Sequence, residues 1–154
     1  MTIKSYRGLM ADGATLRINL RTNDGKTGYR IKKFEAIPNA PGVGSSNHVL
    51  KIFKTEPTIV ASSTIDFSDQ DLIGSLWMRD NVDANYVSTI ESIIFDQEVF
   101  NQDIFITHVE TVGSEGCNYF IELEQIKLTD NETTMATLQS IRSSYESYRP
   151  AGPS

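Results

Sequence analysis

Hydrophobic and polar positions alternate along most of this chain, and the period lengthens only near its C-terminal end. Leu16, Ile18 and Leu20 alternate with Arg17 and Asn19, a half-buried strand of period two. Thr22-Asn23-Asp24-Gly25 supplies a tight turn, because an Asp-Gly pair adopts positive φ at little cost. The strand Tyr29 to Ile37 follows and completes a predicted hairpin. Its alternation slips at Lys32-Lys33, leaving Ile31 and Phe34 out of phase, which predicts a bulge or an edge position. Pro38 to Ser46 is a loop rich in Pro and Gly; its prolines remove the amide donors a phosphate cradle needs. Val49 to Phe53 and Thr58 to Thr64 form the next expected strand pair, broken at Glu56-Pro57. Ser68-Asp69-Gln70-Asp71 is placed to cap one helical turn at Leu72-Ile73. The segment Leu72 to Met78, which holds the only tryptophan, Trp77, is short enough for either strand or helix. Asp80 to Asn85 reads as a loop.

Phe95 to Leu128 is the most strongly patterned stretch, two long strands around Gly113-Ser114-Glu115-Gly116. Ile104 and Ile106 share a face with His108, while Phe105 and Val109 point the other way. Tyr119, Ile121 and Leu123 share one face of the second strand and Glu122 and Glu124 the other, as an antiparallel sandwich requires. Thr129-Asp130-Asn131-Glu132 matches a capping box. Met135, Leu138, Ile141, Tyr145 and Tyr148 then recur at helical spacing, an apolar stripe on a helix of about residues 130–148. The stripe places Met135, Leu138 and Ile141 in the core. Tyr145 and Tyr148 either cover the domain or anchor a neighbour. The expected architecture is mainly β: an antiparallel β-sandwich or jelly-roll-like domain over residues 1–149 with one C-terminal α-helix, and a polar tail at 150–154.

Composition fits this. With 154 residues, the chain suits one domain, burying about two thirds of its unfolded surface. Hydrophobic residues make up 39% and charged residues 22%, a globular balance. No apolar run is long enough for a membrane span, and MTIKSYRGLMADG has no signal-peptide core. The single cysteine, Cys117, forms no internal disulfide, which suits folding in a reducing cytosol; it reads as an ordinary small residue at a strand start.

FDQEVFNQDIFITH, followed by NYFIELEQIKL and the helical MATLQSIRSS, and more faintly the opening MTIKSYRGLMADG, resembles small virion structural proteins of tailed phages, especially marine ones. The resemblance spans about the last two thirds of the chain and contains no catalytic signature. It implies a virion component, first a capsid decoration protein and otherwise a tail, neck or baseplate subunit. It also implies partners among the major capsid protein, other virion proteins and copies of itself, and folding in the host cytoplasm before assembly into the virion. A lectin-like glycan-binding module, with Trp77 and Asp80 to Asn85 at its tip, is the reading from another class.

Charge is unevenly placed. Through Glu56, ten cations stand against four anions; the remainder holds four cations against sixteen anions. Arg17, Arg21, Lys26, Arg30, Lys32 and Lys33 are the expected members of a basic docking patch if the Asp24-Gly25 hairpin brings their strands together. The split vanishes if the halves interleave. The acidic total, without aromatic residues interleaved among the cations, argues against nucleic acid. Glu122 and Glu124 have only the spacing of any half-exposed strand, and His48 and His108 sit in no metal-ligand pattern. The expectation is therefore no enzyme, no cofactor and no metal.

Overall fold

The computed structural model describes residues 2–58, 61–81 and 88–148, with side chains through Ile141. It is a two-sheet β-sandwich with one helix. The strands are β1 Thr2–Met10, β2 Thr15–Ile18, β3 Thr27–Pro38, β4 Ser46–Phe53, β5 Leu72–Asp80, β6 Thr89–Ile94, β7 Ile104–Glu110 and β8 Cys117–Lys127, followed by helix α1 Asp130–Tyr148. One sheet has the order β1-β8-β3 and the other β2-β7-β4-β5-β6, every pair antiparallel. Ile104 and Ile106, and across the sandwich Ile121 and Leu123, face inward as their alternation predicts; Leu50, Ile52 and Leu76 join the core from the larger sheet and Ile31 and Phe34 from the smaller.

The slip in β3 is a bulge. Its register shifts between Ile31 and Lys33, which lets both Ile31 and Phe34 point into the core. Other expectations are corrected. Asp24-Gly25 does turn the chain, with Gly25 at φ +66°, but β2 bonds to β7 and β3 to β8, so the turn carries the chain from one sheet to the other. The same holds at the Gly113–Gly116 turn, since β7 and β8 also lie in different sheets. The described part of Thr58–Thr64 forms no strand; β4 pairs with β5 and β7 instead. Leu72-Ile73 opens strand β5 rather than a helical turn. The connection after β4 is tied back by Lys51, whose Nζ donates to the Thr64 carbonyl at 2.7 Å and to Ser62 Oγ at 3.3 Å.

The capping box forms as predicted: the Glu132 amide donates to Thr129 Oγ1 at 3.3 Å, and the Thr129 amide to Glu132 Oε1 at 3.2 Å. The helix then docks by an unexpected face. Ala136 and Ser140 are buried, Thr133 and Thr137 half-buried, whereas Met135, Leu138 and Ile141 are 62%, 57% and 58% exposed. Small side chains allow close approach to the Gly25 turn, where a Cβ on Gly25 would lie 3.2 Å from Thr133 Cγ2. Asn101, fully buried, locks the contact by donating through Nδ2 to the Gly25 carbonyl at 3.0 Å and to Thr137 Oγ1 at 2.8 Å. The predicted stripe exists, but it faces away from the core. Tyr145 and Tyr148 lie outside the residues whose side chains are described, and 150–154 outside the described residues altogether.

Candidate functional site

The cations expected to form a patch are dispersed. Arg17, on the edge strand β2 of the larger sheet, is bound to Asp103 at 2.5 Å. Arg30 and Lys32, on the edge strand β3 of the smaller sheet, both address Glu124, at 2.5 and 3.8 Å. Lys26 stands 3.6 Å from Asp130 and Lys33 3.9 Å from Glu35. Arg21 is exposed, and its amide donates to Asp103. Four of these pairs join a cation of the first 56 residues to an anion of the rest, so the two charged halves interleave. Glu124 is thereby committed to Arg30, whose guanidinium holds the carboxyl below its ordinary value. Trp77 is likewise occupied, its Nε1 donating to Asn47 Oδ1. Asp80 and Asn81 bond to the Gly42 amide and to Ser45, while Val82 to Asn85 lie outside the described residues.

Chemistry concentrates instead at one end of the sandwich. His48 on β4 and His108 on β7 are fixed by the strand register, in which His48 faces Glu110 and Leu50 faces His108. They are therefore diagonal neighbours on the inward face, with stacked rings and centroids 5.1 Å apart. Cys117, the first residue of β8, comes to the same place from the opposite sheet, between Met10 of β1 and Pro38 of β3. All three side chains are fully buried.

Their protonation follows from geometry. His108 Nδ1 is 3.0 Å from the Ala11 carbonyl, which can only accept, so this nitrogen carries the proton. His108 Nε2 is then an acceptor, and His48 Nδ1 donates to it at 2.8 Å. His48 Nε2 is left as a bare lone pair, buried without a hydrogen-bond partner, with Glu115 Oε2 4.0 Å away. Burial lowers the pKa of His48, and His108 lowers it further, against the opposing pull of Glu115, Glu110 and Asp12. Burial, with the charge of Glu115, pushes the Cys117 thiol up to about 12. At neutral pH it is an un-ionised thiol and a poor nucleophile. Glu110 closes the end of the sandwich, accepting from the amides of Asn47 at 2.8 Å, Val112 at 2.9 Å and Gly113.

No protein family, curated protein or solved structure matches this chain. Sequence reasoning missed this cluster because its members come from three strands. One signal was present: His108 continues the inward alternation of Ile104 and Ile106, and a histidine on the dry face of a strand needs a partner there.

Proposed function

We propose that this protein is a virion structural protein, a capsid decoration subunit that works through protein–protein contacts and associates with copies of itself along its C-terminal helix. The observation that carries the reading is the outward stripe of Met135, Leu138 and Ile141, each more than half exposed on a helix already docked by its opposite side. Apolar side chains at helical spacing on an outer face fit a second helix better than they fit water. In sequence, Leu138, Ile141, Tyr145 and Tyr148 follow the 3-4-3 spacing of a paired-helix seam. The resemblance of the segment from Phe95 onward to small phage virion proteins supplies the biological setting.

Sedimentation of the purified protein, with proteomics of particles of the encoding phage, tests this reading. The wild type should self-associate, Leu138→Glu with Ile141→Glu should leave a folded monomer, and the wild type should be recovered in particles. A wild-type monomer at high concentration would remove the self-association surface. Absence from purified particles would remove the virion role.

A further inference from the structure

The chain has two histidines and one cysteine, and the fold gathers all three at one buried point. One nitrogen of each imidazole and the thiol sulfur lie within 4.8 Å of one another. We propose that His48, His108 and Cys117 form a binding site for a transition-metal ion of the zinc class. Two imidazoles and a thiolate are borderline-to-soft donors, which select zinc-like ions over magnesium or calcium.

The second observation is the orphaned nitrogen of His48. Metal-bound histidines turn one nitrogen to the metal and give the other to an oxygen behind the ring. His108 already has that arrangement, with Nδ1 held by the Ala11 carbonyl. His48 has its counterpart in Glu115, whose Oε2 stands 4.0 Å behind Nε2. The inner nitrogens face each other at 2.8 Å around a single proton. When the ion enters, that proton leaves His48 Nδ1, Nε2 takes one up and donates it to Glu115, and both inner nitrogens give their lone pairs to the metal. The Cys117 thiol loses its proton to solvent, so binding releases one proton overall. The inner nitrogens part to about 3.3 Å, the edge of a tetrahedron with bonds of about 2.0–2.1 Å, the Cys117 sulfur closes to about 3.6 Å from each, and the fourth position takes water.

Charge also balances. A dication in a buried site is costly unless neutralised. The Cys117 thiolate and the Glu115 carboxylate supply two negative charges, and Glu115 already acts electrostatically on both His48 and Cys117. Burial of the site means that loading occurs as the chain folds.

Refolding the full chain with stoichiometric Co²⁺ and a thiol-free phosphine reductant tests the site, because a thiolate-to-cobalt charge-transfer band can then come only from Cys117, the single cysteine. The expected result is a near-ultraviolet band that saturates at one ion per chain, is bleached by Zn²⁺, and disappears in Cys117→Ala with the fold retained by circular dichroism. His108→Asn should weaken cobalt binding at least tenfold. Folded wild type without the band would overturn the proposal, and so would a band of undiminished affinity in folded His48→Asn and His108→Asn variants. The wild-type spectrum decides the matter even if a histidine variant does not fold.

Discussion

Asp103 joins three parts of the chain through one carboxylate. It accepts from the amides of Leu20 at 2.8 Å and Arg21 at 3.0 Å and from the Arg17 guanidinium, and so anchors the segment that leaves β2. Burial by itself would raise its pKa; the Arg21 amide, Arg17 and the Leu20 amide together outweigh burial and hold it below the ordinary 3.8. A lowered folded value means that the stabilisation is complete above 3.8 and is lost as pH falls through the folded value. Asp103→Ala should therefore destabilise the protein at neutral pH by about 1.5–3 kcal/mol, mostly by leaving the Leu20 and Arg21 amides, which share Oδ1, without an acceptor, since Arg17 is largely exposed and its ion pair adds little. Urea unfolding of both proteins as a function of pH checks this: the difference should shrink as pH falls and the wild-type Asp103 carboxyl protonates. At Gly25, positive φ and the approach of Thr133 act together, so Gly25→Ala should cost more than about 1 kcal/mol and loosen the helix, measurable as faster amide exchange in α1.

At the scale of elements, what the sequence made legible was local. Strand faces, the β3 bulge, the capping box and the helix bounds follow from near neighbours, whose spacing is written in the residue order. Partner choice is not. Asp24-Gly25 reverses the chain equally well into a hairpin or across to another sheet, and which occurs is decided by the distant strands β7 and β8. The periodicity of α1 likewise defines an apolar face without saying what that face meets; Thr133, Ala136, Thr137 and Ser140 dock because they are small enough to fit against the Gly25 turn and Asn101. The site was illegible for the same reason, since His48 and His108 stand 60 residues apart and meet only through the β4–β7 register. Two substitutions on one helix separate its faces. Leu138→Ala should change monomer stability by less than about 0.5 kcal/mol, whereas Ala136→Leu should overpack the docked face and cost about 1–3 kcal/mol. Denaturant titration at dilutions where the protein is monomeric distinguishes them.

In the whole molecule, the split between a basic beginning and an acidic remainder becomes a set of cross-chain ion pairs, Arg17–Asp103, Lys26–Asp130 and Arg30–Glu124 among them. Charge therefore serves less to polarise the surface than to join segments distant in sequence. Reversing Lys32 and Lys33 to Glu should lower stability by no more than about 1 kcal/mol and leave self-association unchanged across a salt series, because the proposed seam is apolar and lies on α1. The strand order has a further consequence, for synthesis. All five strands of the larger sheet are complete once Glu110 has left the ribosome, but the only strand that β1 and β3 pair with is β8, the single Tyr29–Phe100 bridge aside. Until that strand emerges, the nascent chain holds a sheet whose apolar side, with Leu50, Ile52, Leu76 and Ile106, has no roof. A chain released at Glu110 should accordingly be insoluble or chaperone-bound, and folding should wait on the arrival of a single strand.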